Sequence, residues 1–281
     1  MNLAGKNIKC IAFDLDYTVI NSDGTMSDAT RTVIEQAIAE GIEIVPVSGR
    51  AFATFPESIG QIKGISYAVT SNGAAIYNKK TGERIHGVAI EYADLHSILD
   101  AFADYFHNGQ ITYEAFVDGV AYGGREYVEH PEAFGVPERN VAYVQSTRKP
   151  VDDIIAFLSE HEEELDSLDI VAADTALYQK IEEQIPLVTK SVYTTSAVSY
   201  RLEISHKNSG KATGLAYVLK LRDISPEETV AFGDGDNDAE MLEFAGLGVA
   251  MENATENCKA AADIVCDCCK NDGVARFLYG F

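Results

Sequence analysis

Apolar residues in this chain follow two rhythms, and the alternation between them outlines a fold. The run IKCIAF (8–13) is almost unbroken apolar, as in a short strand buried on both faces of a sheet. From Ser27 the spacing becomes helical: Ser27 and Asp28 can cap a helix, Val33, Ala37 and Ile38 form its apolar stripe, and Gly41 ends it. IEIVPVSGR (42–50) is a second apolar strand that ends at Ser48, and ISYAVTSNGA (65–74) is a third that ends at Asn72. Buried strands alternating with helices predict a Rossmann-like, doubly wound α/β core built on a parallel sheet.

The rhythm changes between about Lys80 and Thr195. An amphipathic helix (ADLHSILDAFADYF), a hairpin (QITYEAFVDGVAYGG) turning at Asp118-Gly119 and an acidic helix (VDDIIAFLSEHEEEL) are followed by a strand (DSLDIVAA) and another helix (ALYQKIEEQI). AVSYRLEIS alternates Val198, Tyr200, Leu202 and Ile204 with Ser199, Arg201 and Glu203, the period of one half-exposed strand. The first rhythm then returns: KATGLAYVLKL reads as a helix, and ETVAFGDGDND, GLGVAM and ADIVC as buried strands. The expected organisation is a core from residues 1–79 and 196–281, with an α+β cap domain, 80–195, inserted into it.

A net charge of −22 and the absence of any Lys/Arg cluster argue against nucleic-acid or anionic-membrane partners. No apolar run reaches 18 residues, and MNLAGKNIKC does not have the pattern of a signal peptide, so a cytoplasmic protein is expected. Cys10, Cys258, Cys266, Cys268 and Cys269 are odd in number, with three crowded into CDCC and no His nearby, which reads as reduced thiols rather than a disulfide framework.

Two strands of the core end in carboxylates, Asp14 and Asp16 after the first and Asp234, Asp236 and Asp238 after TVAFG. In a parallel sheet such ends converge, and the carboxylates would raise one another's pKa unless a cation sits among them. Oxygen-only ligands with room for water and a phosphate favour Mg²⁺. A calcium EF-hand at DGDND fails, because its sixth and twelfth positions are Ala239 and Ala245. Ser48 with Gly49, and Lys211 at a helix start, add a hydroxyl, accessible backbone N–H groups and a cation, the set that a transferring phosphoryl group requires.

The ordered set Asp14-Leu-Asp16-Tyr-Thr18, Ser48-Gly-Arg50, Lys211 and Gly233-Asp-Gly-Asp-Asn-Asp238, with the strings TSNGA, GVAMENA and DGVARFLY, resembles the haloacid dehalogenase-like superfamily and its Cof-type hydrolases. The resemblance implies a Mg²⁺-dependent phosphatase of small phosphorylated metabolites. In it Asp14 is the nucleophile that forms an aspartyl-phosphate, and Asp16 is the general acid and base. The metal would be held by Asp14, the Asp16 carbonyl, Asp234 and the Gly235 backbone. Phosphate would be gripped by the Leu15 backbone, Ser48, Gly49, Lys211 and Asn237. Asp238 would orient Lys211 or metal-bound water, and Thr18 would hold its own turn.

Family phosphatases usually carry Gly where Tyr17 stands. Here that Gly is read as allowing close approach rather than a positive φ, so Tyr17 would narrow the mouth or stack on substrate. Tyr17, Arg50 and Asn72 are specificity candidates, with Tyr113 and Glu114 suggested by position. A phosphomutase on the same fold stays open, as does a metal-dependent glycosyltransferase built on Asp14 and Asp16. Sugar phosphates, pyridoxal phosphate and flavin mononucleotide are all compatible with this cap type.

Overall fold

The structure is a computed structural model and describes residues 1–279. The chain divides into two compact units. The first comprises Met1–Arg50, Phe55–His86 and the chain from Gly210, and the second comprises Ala51–Thr54 and Gly87–Ser209.

In the first unit five strands pair in parallel in the order Ile264–Cys266, Leu247–Met251, Thr229–Gly233, Cys10–Phe13, Glu43–Pro46. The chain leaves Cys10–Phe13 toward one edge and, after the excursion, returns beside it toward the other. Cys10–Phe13 and Thr229–Gly233 therefore flank the topological switch point, where a crevice opens outside the strand ends. Residues alternate between faces. Ile11, Phe13, Val230 and Phe232 join the core cluster that includes Val33 and Ile34 of the helix Asp28–Ala39, while Cys10, Ala12 and Ala231 join one that includes Leu215 and Val218 of the helix Lys211–Arg222. The Asp28–Ala39 helix starts where its cap was expected, with Ser27 Oγ accepting from the Thr30 N–H at 3.1 Å.

The third strand does not extend the parallel sheet as a full member. Tyr67–Thr70 touches it through one bridge, Val47 to Val69, and belongs to a three-stranded sheet with Ala75–Asn78 and Arg84–Gly87. That last strand moves the boundary of the inserted unit from 80 to Gly87.

The second unit is a six-stranded sheet in the order Arg148–Val151, Val120–Gly124, Ile111–Val117, Leu165–Ala172, Arg201–His206, Val192–Val198. Its hairpin turns at Asp118 (φ 47°) and Gly119 (φ 73°), the left-handed pair of a tight hairpin. Tyr113, Ala115, Leu168, Ile170, Leu202 and Ile204 pack in one cluster with residues of the helices Tyr92–His107 and Thr175–Val188. AVSYRLEIS is not one half-exposed strand. It breaks at Ser199-Tyr200, and its second half pairs with Leu165–Ala172, which shifts the other boundary from 195 to Ser209.

The alternation misled because the polar positions of Arg201–His206 do not face water. Glu114, Asp169 and Glu203 stand in register across three strands. They meet Arg201 and, at Glu114, Arg148, whose guanidinium gives two hydrogen bonds to Glu114 at 3.0 and 2.8 Å. Burial would raise the Glu114 pKa, but the two arginines outweigh it and hold it below the usual carboxylate range. Asp169, equally buried and beside two other carboxylates, is pushed well above that range despite Arg201. Among the described residues no helix is long and apolar enough to cross a membrane.

Candidate active site

Asp14 directly follows the strand Cys10–Phe13, and its N–H donates to the Phe232 carbonyl at 2.9 Å, which sets it beside the end of Thr229–Gly233. The chain then curls tightly. The Leu15 carbonyl accepts from the N–H groups of Thr18, Val19 and Ile20 at 3.4, 3.1 and 2.8 Å, and the Tyr17 N–H donates to the Ile20 carbonyl at 2.8 Å.

The curl puts Tyr17 at φ 61°, in the left-handed region. The position itself therefore takes a positive φ, contrary to the expectation that close approach alone is at issue there, and Tyr17 bears a backbone cost of about 1–2 kcal/mol. Its ring is half exposed, and its carbonyl accepts from Asn253 Nδ2 at 3.0 Å. The Thr18 hydroxyl reaches beyond its own turn. Its Oγ1 donates 3.0 Å to Asp234 Oδ1, joining two strand ends that lie 216 residues apart in sequence.

Lys211 is buried between two carboxylates, with Nζ 2.6 Å from both Asp14 Oδ1 and Asp238 Oδ1. Burial alone would lower its pKa, but Asp14 and Asp238 more than offset that and hold it above the ordinary lysine range. The other Asp238 oxygen accepts the N–H groups of Asp234 and Gly235, each at 2.9 Å. Burial pushes Asp14 well above the usual carboxylate range, against the pull of Lys211 and with the push of Asp238, Asp234 and Asp16. Asp234 rises to about 7, from burial and the Asp238 charge, with the Thr18 hydrogen bond opposing.

Asp14, Asp234 and Asp238 can each direct one oxygen into a group within 4.8 Å, an all-oxygen donor set that fits a hard divalent cation. Asp238 gives one oxygen to the Lys211 ammonium at 2.6 Å and the other to two backbone N–H groups at 2.9 Å, whereas Asp234 meets a neutral hydroxyl at 3.0 Å and an amide at 3.4 Å, so Asp14 and Asp234 are the side chains best able to ligate. Burial first, and then the neighbouring carboxylates, push those two pKa values up, and a bound cation would lower them. Among the described residues the cysteines form no group of this kind.

Asp16 and Arg50 form a two-point ion pair, Nε to Oδ2 and Nη2 to Oδ1, both 2.7 Å. Ser48 is buried, with its N–H on the Val69 carbonyl at 3.0 Å and its Oγ accepting from the Arg50 N–H at 3.2 Å; Gly49 lies between them. Asn72 is buried in a run of three left-handed residues, Ser71 (φ 49°), Asn72 (φ 51°) and Gly73 (φ 89°). A Cβ on Gly73 would fall 2.0 Å from the Gly210 carbonyl oxygen, so only glycine allows this approach. The approach lets the Gly210 N–H donate to the Asn72 carbonyl at 2.8 Å and seats the start of the Lys211 helix, while Asn72 Oδ1 accepts from Asn237 Nδ2 at 3.0 Å.

Two contributors were missed. Asn253 Nδ2 also reaches Asp234 Oδ2 at 3.4 Å, and Thr255 donates its N–H to the Asp234 carbonyl and its hydroxyl to Asp236 Oδ1. Asn253 lay within the quoted string GVAMENA, whose signal was family likeness rather than chemistry. Tyr113 and Glu114 are not available as contacts in the way their positions suggested. Both are fully buried in the second unit, where Arg148 binds both Glu114 oxygens and the Tyr127 hydroxyl donates to one of them.

A family profile described as haloacid dehalogenase-like hydrolase matches residues 11–278. Phosphatase YwpJ of Bacillus subtilis is 31% identical over 96% of this chain and 99% of its own length. The 5-amino-6-(5-phospho-D-ribitylamino)uracil phosphatase YitU of the same organism is 29% identical over 95% of each chain. A solved haloacid dehalogenase-like hydrolase from B. subtilis superposes with a TM-score of 0.81 at 28% identity, over 96% of this chain and 99% of that one. Motif order, fold and profile agree, and the chain belongs to the haloacid dehalogenase-like hydrolases.

Proposed function

We propose that this protein is a Mg²⁺-dependent phosphatase of small phosphorylated metabolites that works through an aspartyl-phosphate on Asp14. The observation that carries the reading is the Asp238–Lys211–Asp14 chain of 2.6 Å contacts at the switch point, which fixes one Asp14 oxygen and leaves the other for attack. Relatives that span nearly the whole chain and are named phosphatases support it.

Asp14 attacks phosphorus; the ester P–O bond breaks, and its electron pair leaves with the alcohol oxygen, which takes a proton from Asp16. Asp16 then removes a proton from the water that attacks the aspartyl-phosphate, and phosphate departs as the Asp14 carboxylate is regenerated. Ser48, Gly49, Lys211, Asn237 and the Leu15 N–H hold the phosphoryl oxygens. Asp14, Asp234, the backbone carbonyl of Asp16 and the Gly235 backbone would hold Mg²⁺, which when bound would neutralise phosphoryl charge. Asp238 orients Lys211, and Thr18 orients Asp234.

The test is phosphate release from a panel of sugar phosphates, pyridoxal phosphate, flavin mononucleotide, a phosphoribityl compound and p-nitrophenyl phosphate, with Mg²⁺ and with EDTA. Release that requires Mg²⁺ and ranks the panel supports the reading. Isomerised sugar phosphate without free phosphate would overturn it in favour of a mutase.

A further inference from the structure

We propose that Arg50 is a positioning residue for Asp16 and not a substrate contact. The proposal rests on the proposed acid and base role of Asp16 and assigns the group that aims its carboxylate.

Asp16 sits on the tight curl after the first strand, where the backbone is pinned by the Tyr17–Ile20 hydrogen bond and the pairing of Asp16 with Ile20. Its side chain is 41% exposed, so packing holds its two torsions in part. Arg50 supplies the rest of the hold, because a planar guanidinium meeting both carboxylate oxygens at 2.7 Å sets the plane as well as the distance.

The fork is itself anchored at both ends of its residue. The Arg50 N–H donates to Ser48 Oγ at 3.2 Å, and the Arg50 carbonyl accepts from the Ser71 N–H at 3.0 Å. Ser48 is the hydroxyl assigned to the phosphoryl group, so one short segment fixes both the phosphate grip and the direction of the acid. The Nε–Nη2 edge of the guanidinium, the side-on fork, is the one committed to Asp16. Each Asp16 oxygen keeps its outward lone pair for the alcohol or the water.

The test compares kcat/KM, which reports events up to departure of the alcohol, for a hexose phosphate and for p-nitrophenyl phosphate, whose leaving group departs without a proton. Asp16→Asn serves as reference and is expected to lose far more on the hexose phosphate. Arg50→Ala should copy that selectivity, with a loss of about tenfold or more on the hexose phosphate and a few-fold at most on p-nitrophenyl phosphate. Arg50→Lys, which keeps charge without the fork, should fall between wild type and Arg50→Ala and covers the case in which Arg50→Ala folds poorly. Adding Arg50→Ala to Asp16→Asn should cost nothing further.

Equal losses on the two substrates in Arg50→Ala, full activity in Arg50→Lys, or additive losses in the double variant would overturn the proposal while leaving the Asp16 role standing. Equal losses in Asp16→Asn would overturn the role of Asp16 and this proposal with it.

Discussion

Lys211 Nζ lies 2.6 Å from Asp14 Oδ1 and is the buried cation facing that carboxylate. Lys211→Ala leaves Asp14 and Asp238 buried without it, and loss of one partner from such a group costs about 3–5 kcal/mol. Urea denaturation in EDTA should show a loss of that size. Turnover should fall as well, with KM and kcat both affected, because the same ammonium is proposed to hold the phosphoryl group.

The Asp234 pKa is raised from 3.8 to about 7, so its folded form holds a proton that its unfolded form releases. The stability this contributes is full below about pH 4 and is lost as pH rises toward 7. Without metal, thermal stability should therefore decline across that window. Asp234→Asn should flatten the decline, and Mg²⁺ should restore wild-type stability above pH 7 but not that of the variant.

Thr18→Val keeps the shape of the side chain and removes the hydroxyl donor to Asp234. Loss of a partner that orients a metal-binding carboxylate typically weakens metal affinity by about 10–100-fold. The Mg²⁺ concentration for half-maximal activity should rise within that range, with kcat at saturating Mg²⁺ changed little.

Tyr17→Gly should relieve the left-handed backbone at φ 61° at small cost in burial, since the ring is half exposed. The gain is partly offset by the greater unfolded freedom of glycine and should come to no more than about 1 kcal/mol, read as a rise in denaturation midpoint.

Arg148→Met in the second unit should destabilise the protein by about 3–5 kcal/mol, because Glu114 is fully buried and takes both of its close guanidinium contacts from Arg148. Replacing Glu114 by Gln and Arg148 by Met together should cost less than Arg148→Met alone.

Asp14, Asp16, Asp234 and Asp238 were legible because each follows an apolar strand, and strands of a parallel sheet release their ends on one edge. Their mutual pairings were not. Thr18 with Asp234, Arg50 with Asp16 and Asn72 with Asn237 join residues from 34 to 216 positions apart, and no local pattern encodes which polar groups will meet. The positive φ of Tyr17 was hidden because its residue type argues against it. The unit boundaries were missed where local patterns were ambiguous, at Arg84–Gly87, whose sheet partners precede it, and at Arg201–His206, whose charges face one another instead of water.

The most direct test of Asp14 as nucleophile is acid quenching of the protein during turnover of a radiolabelled phosphomonoester with Mg²⁺, followed by peptide mapping. Label should appear on the peptide that carries Asp14 and be absent from Asp14→Asn, with turnover abolished and the fold retained. Undiminished turnover by Asp14→Asn, or label on a different residue, would contradict it.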